Sequence, residues 1–234
     1  MIAPSKQAFS YYPGCSQEST NKAFDISTRN VARVLGVEMV DLEDWNCCGA
    51  TAYSAIGEQI SFVLSARNLA LAEKENRDLL TVCAGCYLSL YKTNKYFIDN
   101  PELQKQIRKA LQAGGEDYKG SVRVRHFLDV VANDLGEEEV RQHVVRRFDG
   151  LKVASYYGCQ ITRPFGEIDD PEFPDCMENL MGWIGADAID FSMKTKCCGG
   201  MLMVTKPAAA LELVGKILAQ AKKEGADCIV TACP

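Results

Sequence analysis

Apolar and polar positions along the chain alternate between two periods, one suited to strands and one to helices. Phe9–Tyr12 is a short apolar run of strand type. Residues 18–35 follow with Phe24, Ile26, Val31, Val34 and Leu35 at helical spacing. Ser16 or Ser19 would cap that helix and Gly36 would end it. A strand over 37–42, a helix over 57–74 with Ile60, Val63, Leu64, Leu69 and Leu71 apolar, and a strand over 79–82 come next. A helix from about Tyr87 to Phe97 follows.

A charged helix (101–113), a Gly114-Gly115 break, a strand over 122–125 and a helix near 127–135 make a middle stretch. The first order of elements then returns. A strand over 152–157, a helix over 176–184, a strand over 188–191, a helix over 207–223 opened by Pro207, and a strand over 227–231 are expected. Strands alternating with helices predict an α/β fold with mainly parallel sheets covered on both faces. In such sheets ligands gather beyond the carboxyl ends of the strands.

The 234 residues suffice for one large domain or two small ones. Apolar residues make up 47% and charged residues 24%, a globular balance that excludes disorder. Net charge is −5, which argues against a nucleic-acid surface and a polybasic membrane patch. No window is long and apolar enough to span a bilayer, and the first residues lack a basic-then-apolar leader. A cytoplasmic location is therefore expected.

The 11 cysteines change the picture. An odd number in a long leaderless chain points to metal or redox chemistry rather than a disulfide scaffold. Cys15, Cys47-Cys48 and Cys83/Cys86 form one set. Cys159, Cys197-Cys198 and Cys233 form a second, displaced by 144, 150, 150 and 150 residues. In both copies 34 residues separate the adjacent pair from the next cysteine. Tyr11-Tyr12-Pro13-Gly14-Cys15 resembles Tyr156-Tyr157-Gly158-Cys159, and Cys47-Cys48-Gly49-Ala50 resembles Cys197-Cys198-Gly199-Gly200. Thr81-Val82-Cys83 likewise matches Thr231-Ala232-Cys233. The chain thus reads as a duplication, with a first domain over 1–145 (its connector from about 99) and a second over 146–234. The counterpart of Cys86 would fall two residues beyond Pro234, so the second domain is expected to be truncated at its C-terminus.

Every cysteine of the two sets follows a predicted strand, which places each set around one crevice. Thiolates suit zinc or the iron of iron–sulfur clusters. Adjacent cysteines diverge too much for one tetrahedral ion but suit a group of several irons. A structural zinc site is the weaker alternative, and a thioredoxin-type pair at Cys83/Cys86 weaker still. Gly14, Gly49, Gly158 and Gly199 would let the backbone approach a bulky cofactor. Cys176 and Cys228 lie outside the repeat and read as buried thiols. His126 and His143 read as structural or surface groups, and Trp45 as a packing residue that could line the first pocket.

This spacing resembles the duplicated CCG domains found in the B subunits of heterodisulfide reductases. Tyr12-Pro13-Gly14-Cys15, Asn46-Cys47-Cys48-Gly49-Ala50, Ala66-Arg67-Asn68-Leu69-Ala70, Val82-Cys83-Ala84-Gly85-Cys86-Tyr87 and Cys197-Cys198-Gly199-Gly200 carry the resemblance, which covers essentially the whole chain. It implies two pseudo-symmetric Rossmann-like CCG domains. Each would hold a noncubane [4Fe-4S] cluster, the first through Cys15, Cys47, Cys48, Cys83 and Cys86. The second would use Cys159, Cys197, Cys198 and Cys233. The cysteines would be catalytic as cluster ligands. The family's substrate in methanogens is the disulfide of coenzyme M and coenzyme B. By resemblance it would lie between the clusters, each supplying one electron for its reductive cleavage or formation.

The resemblance also implies two partners from the same complex, one a ferredoxin-like iron–sulfur protein and the other a flavin-bearing iron–sulfur protein. Arg163, Lys194, Lys196 and Lys206 are candidates to steer an anionic disulfide or thiol. Two other classes of function remain beside this oxidoreductase. One is electron relay within another redox complex, of sulfur-oxidising or of lactate, glycolate or succinate type. The other is a zinc-stabilised scaffold.

Overall fold

The structure, a computed structural model, describes residues 8–234. The first residues of the expected opening segment lie outside them. The chain forms two compact units, residues up to Phe127 and residues Leu128–Cys233.

The first unit carries β1 (Ala8–Tyr11), α1 (Cys15–Glu18), α2 (Lys22–Val34), β2 (Glu38–Asp41), α3 (Ala52–Ile56) and α4 (Glu58–Lys74). It continues with β3 (Leu79–Thr81), α5 (Ala84–Asp99), α6 (Pro101–Ala113) and β4 (Val124–His126). Its four strands are all parallel, in the order β2-β1-β3-β4. Central β3 is buried along its whole length and β1 along most of it, as expected for a sheet covered on both faces.

A one-turn helix, α7 (Phe127–Asp129), ends at the junction and runs into a π-helical turn, Val130–Leu135. The second unit then has α8 (Gly136–Gln142), β5 (Lys152–Tyr156), α9 (Cys176–Trp183), β6 (Asp187–Ala188), α10 (Pro207–Lys223) and β7 (Cys228–Thr231). Its parallel order β6-β5-β7 repeats the β2-β1-β3 order of the first unit. The α/β duplication expected from the sequence is therefore present, with the first sheet one strand wider. The units part at Phe127/Leu128 rather than at 145/146. The π-helical turn and α8 pack on α9, so the stretch before β5 joins the core of the second unit.

The helices depart locally from expectation. The helix expected over 18–35 is broken at Ser19–Asn21, because the Ser19 hydroxyl donates to the Cys15 carbonyl (2.7 Å) and Asn21 N–H to Ser16 O (2.8 Å). Neither serine caps α2. The apolar stripe of α2 also faces outward: Ile26, Val31 and Val34 are exposed, while Thr28, Ala32 and Leu35 are buried. On α4 the buried face includes Ser61, Ser65 and Asn68, and Ile60 is exposed. The helix expected from Tyr87 begins three residues earlier at Ala84, which puts Cys86 inside its first turn.

Candidate metal centres

Both sets of cysteines lie beyond the carboxyl ends of their own sheet. In the first unit Cys15 opens α1 after β1, Cys47-Cys48 lie in the loop after β2, and Cys83 directly precedes α5. In the second unit Cys159 follows β5, Cys197-Cys198 follow β6 and Cys233 follows β7. A cleft lined by Arg29, Arg33, Gly36, Val37, Glu38 and Met39 opens at the opposite, amino end of β2 and is separate from this chemistry.

In the first unit the sulfurs converge. Cys48 Sγ and Cys86 Sγ are 3.4 Å apart. Cys47 also lies close enough to Cys48, and Cys83 to Cys86, for each pair to share a proton between them. Cys15 lies close enough to oppose charge on Cys47. Cys48 and Cys86 are buried, Cys47 and Cys83 half-buried, and Cys15 exposed, so the cluster of thiols opens to solvent on one side. The thiols share one favoured anion. Thiol donation from Cys47 and Cys86, with the Ala50 N–H, lowers Cys48 to about 4 against its burial. Cys47 is pushed up chiefly by that hydrogen bond, and Cys86 likewise by Cys48 and Cys83.

The adjacent pair is held the same way in both units. Gly49 N–H points to Cys47 Sγ (3.4 Å), as Gly199 N–H points to Cys197 Sγ (3.3 Å) and Gly200 N–H to Cys198 Sγ (3.4 Å). Gly49 and Gly199 have φ of +78° and +74°, the left-handed conformation that glycine supplies without strain. The space beside them is filled by protein rather than left for a cofactor. A Cβ on Gly49 would meet Ser61 Cα at 3.2 Å, and one on Gly199 would meet Ala210 Cα at 3.1 Å. These glycines thus seat the loop on α4 and α10. Gly14 does face the sulfurs, because its Cβ would come within 3.0 Å of Cys86 Sγ. Gly158 instead lies against the Tyr156 ring.

Tyr12 and Tyr156 are structural equivalents. Tyr12 OH donates to Asn46 O (2.9 Å) and Tyr156 OH to Lys196 O (2.6 Å), the carbonyl just before each cysteine pair. Burial and the surrounding thiols raise both phenols. Trp45 meets Tyr12 edge-on at 5.3 Å and so backs the first site. Tyr157 turns the other way. Its OH accepts from Met177 N–H (2.7 Å) and pairs with Glu178.

The sequence reading missed the residues of α4 that fix the first loop. Asn68 is fully buried; its side chain accepts from Asn46 N–H (2.9 Å) and donates to Asn46 O (2.8 Å). Ser65 donates to Cys48 O (2.8 Å), and Arg67 donates to Asp44 O (2.6 Å) and pairs with the Asp44 carboxylate. The available signal was Ser61, Ser65 and Asn68, polar at helical spacing on one face. By their contacts with Gly49 and Gly199, Ser61 matches Ala210 and Leu64 matches Leu213. In that register Ser65 matches Val214 and Asn68 matches Ile217, so α10 seats the second loop with apolar side chains instead.

In the second unit Cys159 hydrogen-bonds to Cys197, with Cys198 nearby, and burial first, then those thiols, raise Cys159. Cys233 N–H approaches Thr231 Oγ1 (3.3 Å), as Cys83 N–H approaches Thr81 Oγ1 (3.5 Å). Two of the four candidate steering cations are engaged: Lys194 with Glu178 (3.1 Å) and Pro174 O (2.5 Å), Arg163 with Thr195 O (2.6 Å). Lys196 and Lys206 are exposed. Cys176 is buried as expected, but Cys228 is exposed because it begins the edge strand β7. His126 is buried against Tyr87, and His143 approaches Glu139 O (3.0 Å).

The donors are all sulfur, a chemistry that both zinc and iron–sulfur groups take. Among the described residues no group of three or more His, Cys, Asp or Glu side chains is arranged to hold a metal ion. The first set is all sulfur, five-fold, and partly open. No helix among the described residues is long and apolar enough to cross a membrane.

Comparison with known proteins agrees with the duplication. The model of the CCG cysteine-rich domain matches residues 9–91 and again 153–234. The B subunit of the ferredoxin/F420H2-dependent CoB-CoM heterodisulfide reductase of Methanosarcina acetivorans is 33% identical over 96% of this chain and 76% of its own. The membrane anchor of the 8-methylmenaquinol:fumarate reductase of Wolinella succinogenes is 32% identical over 98% of this chain and 80% of its own. A crystal structure of a hypothetical protein from Helicobacter pylori shares the fold at TM-score 0.72 and 16% identity, over 98% of this chain but only 42% of that one. Two family matches, each laid over one of the two cysteine-bearing sheets, together with these relatives, place the chain in the CCG cysteine-rich domain family, alongside the B subunits of the heterodisulfide reductases.

Proposed function

We propose that the chain is an iron–sulfur oxidoreductase component of a larger redox complex, and that each unit holds one noncubane [4Fe-4S] cluster. Cys15, Cys47, Cys48, Cys83 and Cys86 would hold the first; Cys159, Cys197, Cys198 and Cys233 would serve the second. The observation that carries the reading is the gathering of the first unit's cysteines beyond its strand ends, with Cys48 Sγ and Cys86 Sγ 3.4 Å apart. When bound, such a cluster exchanges single electrons and takes thiolate sulfur as a ligand.

The chain's own contribution is to bind, orient and shield. Donation from Cys47, Cys86 and the Ala50 N–H draws Cys48 toward the anionic form in which a thiol ligates metal. The N–H groups of Gly49, Gly199 and Gly200 place positive dipole ends at the cysteine sulfurs. Tyr12 and Tyr156 fix the carbonyl before each pair, so the two sulfurs keep their direction. The exposed Cys15 leaves one side open to an incoming sulfur compound.

The substrate proposed is an organic disulfide or its thiols, by analogy with the relative named for heterodisulfide reductase. Partners of ferredoxin-like and flavin-bearing type would supply electrons, since no flavin or ferredoxin motif occurs in the sequence. A second reading, electron relay without disulfide chemistry, draws on the relative named for quinol:fumarate reductase. Iron and acid-labile sulfide per chain, with electron paramagnetic resonance (EPR) spectra on adding a disulfide, separate the readings in anaerobically purified protein. About eight irons and a disulfide-dependent signal support the proposal. Iron without that response favours relay, and zinc without iron overturns both.

A further inference from the structure

A buried amide faces the first cysteine site with nothing to bind. Gln17, two residues after Cys15 in α1, is 3% exposed, and neither its Oε1 nor its Nε2 has a hydrogen-bond partner. Burying an unpaired amide costs free energy, and native structures do so where something else completes the bonding. The backbone at Gly14 puts this amide near the sulfurs. The point where Gly14 lacks a Cβ is 3.8 Å from Gln17 Oε1, 3.6 Å from the Tyr12 ring and 3.0 Å from Cys86 Sγ. The amide therefore borders the pocket of the five thiols. The equivalent position of the second site carries no donor. Two residues after Cys159 stands Ile161, equally buried at 4% exposure but unable to donate.

We infer that Gln17 donates a hydrogen bond from its carboxamide to the sulfur-rich group held by Cys15, Cys47, Cys48, Cys83 and Cys86, and thereby makes the two sites of the chain unequal in potential. The inference rests on the iron–sulfur reading above. Turning the amide end for end presents Nε2, its only donor, to the sulfurs. Reduction adds negative charge to that group, and an N–H donor stabilises the more negative state. The first site is thus the more easily reduced. Ile161 offers only desolvation, which opposes added charge and holds the second site lower.

The test uses the whole chain, purified anaerobically, with iron and sulfide measured before a potentiometric titration followed by EPR. Gln17→Leu removes the amide at similar volume. It is expected to keep the wild-type iron content. At the wild-type midpoint of the first centre, its ratio of reduced to oxidised centre should fall about tenfold, a downward shift of about 59 mV for one electron. Wild-type protein moved into deuterated buffer should show one more exchangeable deuteron coupled to the centre than Gln17→Leu, which keeps only those of backbone donors such as the Gly49 and Ala50 N–H groups. Ile161→Gln should shift the second centre upward, in a variant that leaves the first site untouched.

Unchanged midpoints in both variants at unchanged iron would overturn the inference while leaving the iron–sulfur reading intact. Loss of iron from both Gln17→Leu and Gln17→Met, with circular dichroism unchanged, would overturn it in favour of a purely structural amide. An iron-free wild-type protein would overturn the reading beneath it instead.

Discussion

Replacing Asn68 by leucine should loosen the first cysteine loop by a definite amount. Asn68 is fully buried in α4 and bonds to both ends of the Asn46 peptide group, at 2.9 Å to its N–H and 2.8 Å to its C=O. Leucine keeps the branched heavy-atom shape, though with somewhat more bulk, and removes both bonds. Asn46 O retains the Tyr12 hydroxyl, so only the Asn46 N–H loses its partner. One orphaned donor costs about 1–3 kcal/mol and one lost net hydrogen bond about 1 kcal/mol, which together give about 2–4 kcal/mol. That is a large part of the stability of a unit this size. Trp45 packs on Tyr12 beside this loop, while Trp183 ends α9 in the other unit. Guanidinium unfolding of metal-free protein in a Trp183→Phe background therefore reads the first unit by fluorescence alone. A midpoint shift worth about 2–4 kcal/mol at unchanged slope is expected. A difference below about 0.5 kcal/mol would refute the expectation, because that is the scale of an indifferent surface change.

Three further outcomes follow from single contacts. Gly199→Ala should destabilise the second unit more than Gly36→Ala destabilises the first: both have φ above +70°, but the new Cβ meets Leu213 Cδ1 at 2.8 Å in one case and open space in the other. The shared left-handed strain is about 1–2 kcal/mol, so unfolding midpoints that differ only by that amount from wild type in both variants would contradict the clash. Tyr156→Phe should cost the second loop about 0.5–1.5 kcal/mol, read by Trp183 fluorescence in a Trp45→Phe background, through loss of the 2.6 Å bond to Lys196 O. Burial first, then Asp169, raises the Cys176 thiol, so the folded state keeps a proton that the unfolded chain releases. That stability is present below about pH 8.5 and falls as pH rises, by about 1.4 kcal/mol per unit. Cys176→Ala should flatten the decline between about pH 8.5 and 10, and an unaltered slope would refute the assignment.

Much of this was legible because chemistry forced regular spacing. A thiol-rich site at the ends of parallel strands needs cysteines at fixed offsets from β1, β2 and β3, so duplication left matching offsets in the sequence. Element limits near Pro101, Pro207 and Gly36 were legible for the same reason, since each residue type fixes its own backbone. The roles of Gly49 and Gly199 were not. Sequence shows a glycine beside a cysteine pair, but only the fold shows that Ser61 and Ala210, not a cofactor, occupy the adjoining space. The face of α2 was not legible, because periodicity reports that a stripe exists, not which way it points; Ile26, Val31 and Val34 turn outward while Thr28 and Ala32 meet the protein. Asn68 and Gln17 were invisible to a search for ligands, because neither binds metal and each acquires meaning only through what it borders.

Those two residues set the sites apart. The cysteines, the loop glycines and the tyrosine-to-carbonyl bonds are nearly the same in both units. What differs is the material behind them. The first site is backed by Gln17, Ser61, Ser65 and Asn68, and the second by Ile161, Ala210, Leu213 and Ile217. Hydrogen bonds fix a loop by direction, whereas apolar packing fixes it by area and weakens on cooling. Similar cysteine loops can thus be held at two electrostatic levels by the residues behind them. For a chain proposed to pass electrons one at a time, that inequality gives the two sites distinct potentials. A duplication whose second copy merely repeated the first would give them none.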